Sequence, residues 1–236
     1  MRALSEDHSV EPGWFVRREN RFVATVARTD GAEVRAYVPN TARLVDLLVP
    51  GAPVRLARAA DPRRRTRWTL TRVWDGTWVA IDAAAAADLV GDALASGTAL
   101  PGWPTAVGVR REVVVGARRI DLAIDLPNDS EALVEVKSLT RARARVAMLS
   151  HTPSTRGAAQ LALLGEHAAT GTPTAVVFAV QRGDVDALDL DAPADPGWRA
   201  AVAQARAAGV HITAWRCAVT PDTLRLDSPL RVRPRT

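Results

Sequence analysis

Lysine is nearly missing from this chain. Of 31 basic residues only Lys137 is a lysine, and every other one is arginine. Cysteine also occurs once, at Cys217, which excludes an internal disulfide and any cysteine-based metal framework. No run of about 18 apolar residues exists, so no predicted helix crosses a membrane. No glycine-rich phosphate loop follows a predicted strand, which argues against an enzyme of small phosphorylated metabolites. The segment from Met1 to Val10 is polar and mixed in charge, unlike a signal peptide. The expected compartment is therefore the cytoplasm. Internal repeats and low-complexity linkers are absent too.

What is present is a chain of 236 residues, 47% apolar and 24% charged, ample for one large core or two modest ones. The net charge of +5 and pI near 10.7 point to a polyanionic partner, DNA or RNA. An arginine bias from a GC-rich genome gives a similar pI, so charge does not decide the matter alone.

In the first part, residues 1–82, the signals from Phe15 to Asp82 are strand apart from one short helix. Arg21 to Val26, Glu33 to Val38 and Val54 to Ala57 form strands, and Thr41 to Leu48 is predicted as a short helix closed by Pro50-Gly51. Arg67 to Val73 and Thr77 to Ile81 flank Asp75-Gly76, a hairpin turn signal. Short strands at this spacing suit a small OB-like barrel. The run Arg63-Arg64-Arg65-Thr66-Arg67 beside Trp68 reads either as a phosphate-contacting loop next to a stacking ring or as a solvated loop.

From residue 83 to 236 the character changes to α/β. Helices are predicted at Ala83 to Ser96, Arg156 to Ala169, and from Asp195-Pro196 to Gly209, with aspartate as cap and proline in the first turn. Strands fall at Glu112 to Val115, Ile120 to Leu126, Ala132 to Leu139, Thr174 to Val180, Ile212 to Val219 and Leu224 to Val232. Arg141 to Ser150 is basic and irregular. The order is α-β-β-β-α-β, then a further helix and strands. Trp14, Trp74, Trp78, Trp198 and Trp215 are expected in cores, and Trp68 and Trp103 at the surface.

Lys137 lies in an apolar strand, two residues after Glu135, so both side chains share a face about 7 Å apart along the strand. In the preceding strand Ile120, Leu122, Ile124 and Leu126 form one apolar face, with Asp121 and Asp125 on the other. The short connection Pro127 to Ser130 favours antiparallel pairing, which lets Asp121 face Glu135. Burying these charges unpaired costs several kcal/mol. A hard divalent ion, Mg²⁺ or Mn²⁺, on Asp121 and Glu135 accounts for them, with Lys137 orienting a water or stabilising developing negative charge. A structural ion-pair cluster is the alternative.

Asp, a spacer and Glu-x-Lys within an α-β-β-β-α-β core resemble the PD-(D/E)XK nuclease pattern. The whole chain is similar to the sugar fermentation stimulation protein (SfsA) family. The resemblance rests on Arg18 to Ala24, Val38-Pro39-Asn40-Thr41, Arg119 to Leu122, Val134 to Ser138, Thr155-Arg156-Gly157, Val177 to Gln181 and Ala207 to Val210. It implies an OB-like barrel (1–82) joined to a restriction-endonuclease-like domain (83–236), nucleic-acid binding and a hydrolytic DNA/RNA nuclease activity. It also implies metal on Asp121 and Glu135, catalysis by Lys137, and Glu112 as a further site candidate. Arg21, Asn40, Arg119 and Arg156, all in or beside the matching stretches, are candidates for nucleic-acid contact. Ordinary backbone-satisfying or surface roles compete for Arg21, Asn40 and Arg156. The chain departs from the family at Leu149-Ser150-His151-Thr152 and at Gln160, where the family carries an acidic loop residue and a histidine. His151 reads as a metal or phosphate contact, or as a plain surface residue. The alternative function is a catalytically weak or inactive DNA-binding regulator of sugar-utilisation genes. Oligomeric state is open, with a homodimer among the options.

Overall fold

The computed structural model describes residues 10–149, 155–190 and 195–233. The chain divides into two compact units. The first comprises Met1–Ala84 with Gln181–Asp184 and Ala218–Arg225, and the second holds the remainder. The division after Ala84 falls two residues beyond the expected one. The two short later segments joining the first unit have no counterpart in the sequence reading.

In the first unit β1 (Val10–Asn20), β2 (Val23–Arg28) and β3 (Glu33–Tyr37) form a meander, followed by β4 (Pro53–Arg58), β5 (Trp68–Trp74) and β6 (Trp78–Ala80). β1 pairs with both β2 and β4, and β4 with β5. A short parallel pairing of β3 with β5, Ala36 opposite Trp68 and Tyr37 opposite Thr69, closes five strands into an OB-like barrel. β6 extends it as a hairpin on β5 around Gly76, whose φ of 67° suits glycine. Alternation sends Phe15, Val26, Val54, Leu56, Leu70 and Val73 inward to one apolar core.

The predicted helix at Thr41 to Leu48 does not form. Arg18 donates to the carbonyls of Asn40, Ala42 and Arg43, at 2.6–3.0 Å, so those oxygens are taken from any helical ladder. Asn40 Oδ1 also accepts from the Ala42 N–H at 2.9 Å, an Asx turn. Leu44 then adopts φ 53°, and only a single turn follows, with the N–H groups of Leu47 and Leu48 donating to the Leu44 carbonyl.

The second unit opens with α1 (Ala85–Ala95) and continues through β7 (Gly108–Val115), β8 (Arg118–Asp125) and β9 (Glu131–Leu139). Two short strands occupy the irregular basic segment, β10 (Ala142–Arg143) and β11 (Val146–Met148). Then come α2 (Thr155–Ala169), β12 (Thr174–Val180), β13 (Ala187–Asp189), α3 (Pro196–Ala207), β14 (His211–Val219) and β15 (Leu224–Arg233). They build a nine-stranded mixed sheet in the order β10-β11-β13-β15-β14-β12-β9-β8-β7. β12 is buried along its whole length, as its unbroken apolar run requires of a strand covered on both faces. α3 starts as expected: Asp195 accepts from the Trp198 N–H at 2.9 Å, with proline in the first turn.

The sheet separates two apolar clusters. Leu122, Ile124, Ala132, Val134 and Val136 pack with Val90 and Leu94 of α1. Ala123, Leu133, Leu139, Val176 and Phe178 pack with Leu161 and Leu164 of α2 and with Trp198 and Val202 of α3. Ile120 belongs to this second cluster, not with Leu122 and Ile124 as strict alternation predicts. The strand changes its pattern at Asp121, beside the carboxylate cluster.

Candidate active site in the α/β domain

β8 and β9 are antiparallel, with Leu122 opposite Val134, Ala123 opposite Leu133 and Ile124 opposite Ala132. The same register carried one step further sets Asp121 opposite Glu135. There the backbone ladder gives way to side chains. Asp121 Oδ2 accepts from the Val136 N–H at 2.8 Å, and Glu135 Oε2 accepts from the Asp121 N–H at 3.4 Å. The two acids thus meet because each accepts from a backbone N–H of the other's strand.

Glu135 is only 1% exposed. Burial pushes its pKa from 4.5 up to about 7; the Lys137 charge opposes that rise, and the neighbouring Asp121 charge adds to it. Lys137 Nζ donates to Glu135 Oε1 at 2.5 Å and to Gln160 Oε1 at 3.0 Å, and stands 6.0 Å from the centre of the Trp198 ring. Gln160 Nε2 in turn donates to the Arg119 carbonyl at 3.0 Å, which fixes which end of the amide faces the ammonium. Gln160 is therefore a positioning residue that ties α2 to β8 and holds Lys137 in place.

The sequence assigned Gln160 no role, though a signal for it exists. The buried stripe of α2 is Gly157, Gln160, Leu161, Leu164 and Gly165, and Gln160 is its one polar member. A polar side chain at a core position of an amphipathic helix needs a partner.

The other candidates distribute unevenly. Glu112 lies opposite Asp121 on the far side of β8, between the pairs Arg111–Leu122 and Val113–Ile120. Its backbone is strained at φ 52°, and its exposed carboxylate takes Arg119 Nη1 at 2.9 Å, apart from the Lys137 hydrogen bonds. Arg119 thus contributes its carbonyl to the Gln160 link and its guanidinium to the surface. Arg156 is exposed in the first turn of α2. Arg21 is exposed in the barrel, its Nε 3.3 Å from the Thr41 carbonyl. Asn40 is buried and its amide is occupied, donating to the Ile81 carbonyl at 3.0 Å and accepting from Ala42. His151 lies outside the described residues. Among the described residues no three of His, Cys, Asp and Glu gather as a metal cage, so the acid pair stands as two carboxylates beside an ammonium.

A closed five-stranded barrel followed by a mixed sheet whose adjoining strands β8 and β9 carry Asp…Glu-x-Lys defines a class, the OB-like barrel joined to a restriction-endonuclease-like α/β domain. Comparison with known proteins gives the particular family. The profile described as "Sugar fermentation stimulation protein RE domain" matches residues 84–223, and "SfsA N-terminal OB domain" matches 16–81. The chain belongs to the SfsA family. A sugar fermentation stimulation protein homolog of Rhodospirillum centenum is 37% identical over 94% of this chain and 96% of its own length. A homolog of that name from Chloroflexus aggregans is 39% identical over 92% and 83%. The solved structure of Pyrococcus furiosus SfsA in complex with Ca²⁺ superposes with a TM-score of 0.86 at 27% identity, covering 99% of this chain and all of that one. No helix among the described residues is long and apolar enough to cross a membrane.

Proposed function

We propose that this protein binds nucleic acid and hydrolyses its phosphodiester bonds at a metal-dependent site formed by Asp121, Glu135 and Lys137. The observation that carries the reading is the meeting of two carboxylates from adjoining strands with the chain's one lysine, in surroundings where Glu135 is almost fully buried. An acid pushed to a pKa of about 7, next to a second acid, calls for compensating positive charge. The donor set fits a hard ion. Both ligands offer carboxylate oxygen, and Mg²⁺ or Mn²⁺ binds through one or two carboxylates plus waters and phosphate oxygens. The Ca²⁺ in the Pyrococcus furiosus relative is another hard, oxygen-seeking cation.

Asp121 and Glu135 would hold the ion. When bound, such an ion neutralises charge on a phosphodiester and makes water more acidic. The chain's own groups do the rest. Lys137 is a compact ammonium held by Gln160 and Trp198, able to donate to a negative oxygen or to a water at the reacting phosphorus. Arg119 and Arg156, both exposed in the same domain, offer guanidinium groups to the phosphate backbone.

The test is incubation with single- and double-stranded DNA and RNA in Mg²⁺ or Mn²⁺, alongside Lys137→Ala. Cleavage by the wild type and a loss of at least about 100-fold in the variant are expected. Equal cleavage by the two proteins overturns the assigned site. The family description, sugar fermentation stimulation, supports a second reading as a DNA-binding regulator without turnover. Salt-dependent binding insensitive to chelator, with no cleavage in any metal, is the outcome that favours it.

A further inference from the structure

The barrel carries a row of side chains that neither its core nor the acid cluster uses. Trp14 of β1 pairs with Pro53 of β4, and Val54 pairs with Val73 of β5, which puts Pro53 opposite Trp74; Trp74 pairs with Trp78 of β6. Directly paired residues of an antiparallel ladder project to the same side. Their chain neighbours Phe15, Val54, Val73 and Val79 fill the interior, so Trp14, Pro53, Trp74 and Trp78 line the outside. Trp14 is 44% exposed and Trp74 43%, and Trp74 meets Trp78 edge to face at 5.4 Å. Trp14 and Trp74 lie two strands apart, about 10 Å.

Beside this row stand two arginines that form no salt bridge with a carboxylate among the described residues. Arg55 and Arg72 are register partners, on the outward face next to the tryptophans. Arg55 lies over the Trp78 ring at 4.9 Å. Arg72 is 6% exposed, and among the described residues its guanidinium makes only a long 3.4 Å contact to Thr71 Oγ1. The Nε of each is buried, with no hydrogen-bond partner among the described residues. Asp222 influences Arg72 through space without forming an ion pair with it. Two adjacent guanidinium groups with unspent donors, under a row of open aromatic rings, match phosphate and base of one ligand.

The geometry points to this outer face of β1, β4, β5 and β6 as a track for single-stranded nucleic acid, with bases stacking on Trp14 and Trp74 and a phosphate against Arg55 and Arg72. The inference rests on the nucleic-acid-binding reading above and adds where, and which form, the protein binds. Single strands are favoured because a duplex keeps its base faces stacked within the helix. Polynucleotide is favoured over a protein partner by charge. Residues 1–84 hold 14 arginines against 10 acidic residues, whereas the remaining 152 residues are nearly balanced.

The experiment is fluorescence anisotropy of a labelled oligo(dT) and of a matching duplex, in chelator, with full-length wild type, Trp14→Ala, Trp74→Ala and Trp74→Phe. Thermal melting checks that each variant is folded. Each alanine variant should bind oligo(dT) roughly 10-fold more weakly, with Trp74→Phe keeping most of the affinity. Arg55→Gln should flatten the salt dependence by about one unit. If wild type and both alanine variants bind oligo(dT) alike, the track is wrong while nucleic-acid binding stands. If the wild type binds no polynucleotide, the broader reading and the track fall together. Sedimentation showing that Trp74→Ala dissociates a dimer, with oligo(dT) affinity unchanged, reassigns the face to self-association and overturns the proposal.

Discussion

Two regions of the barrel treat the same residue type in opposite ways. On β1 to β3 three of the four arginines are neutralised by acids, Arg17 by Glu33, Arg28 by Glu11 and Asp30, and Arg35 by Glu19, while Arg18 is spent on backbone carbonyls. On β4, β5 and the connecting loop, Arg63 pairs with Asp61, but Arg55, Arg58 and Arg64 lie over Trp78, Trp68 and Tyr37 rings, and Arg72 pairs with no acid among the described residues. The α/β domain adds a third arrangement, one part-buried ammonium against a buried carboxylate of raised pKa. Surface pairing contributes little to stability, so the first pattern is a solvated face. The second and third leave charge uncompensated or expensively buried. Such arrangements persist where they serve binding or chemistry.

That contrast can be broken at several points. Lys137→Arg should remain as inactive as Lys137→Ala in the cleavage assay, because a planar fork does not fit between Glu135 and Gln160. Restored cleavage by arginine would reduce the site to a generic positive charge. Next, Glu135→Gln should stabilise the metal-free protein. A carboxyl raised from 4.5 when unfolded to about 7 when folded binds more protons in the folded state between those values. Its stabilising contribution is present below pH 4.5 and lost as pH rises through 7. The variant's advantage should therefore reach about 3 kcal/mol near pH 8 and vanish near pH 4.5, as followed by urea unfolding in chelator. A flat difference across that range would refute the buried-acid assignment. Divalent ions should raise the melting temperature of the wild type and not of this variant.

Smaller effects sharpen the comparison. Arg18→Ala should destabilise the barrel by about 2–3 kcal/mol, since the carbonyls of Asn40, Ala42 and Arg43 lose their shared donor. Asp195→Ala should cost about 1 kcal/mol through loss of the α3 cap. Arg35→Ala, at an exposed pair, should stay within about 0.5 kcal/mol by the same unfolding measurement, and a larger loss would contradict the solvated-face reading.

The sequence made the acid–ammonium cluster legible because residues two apart in a strand share a face. Glu135 and Lys137 had to share a face, and the short Pro127–Ser130 connection fixed their partner strand. Helix ends were readable where chemistry is local, as with Asp195 and Pro196. What was hidden depended on residues distant in the chain. The failed helix after Asn40 needed knowledge that Arg18, 22 residues earlier, would take its carbonyls. Trp14 and Trp74 looked like core because alternation does not say which face is inside, and both proved to be exposed. Trp68 and Trp103, expected at the surface, are half-buried beneath Arg28 and beside His211 respectively. Cys217 is buried in the core, and burial pushes its thiol up to about 12. Gln160 was visible only as an oddity within an apolar stripe until Lys137 and Arg119 were seen at its two ends.

A chain with one lysine carries its own reporter. Reductive methylation with isotope-enriched formaldehyde would mark Lys137 and the terminal amine and nothing else. The methyl resonance of that ammonium would then read out proton, cation and oligonucleotide occupancy from within the cluster with no amino-acid substitution, the dimethylated nitrogen keeping one N–H of three.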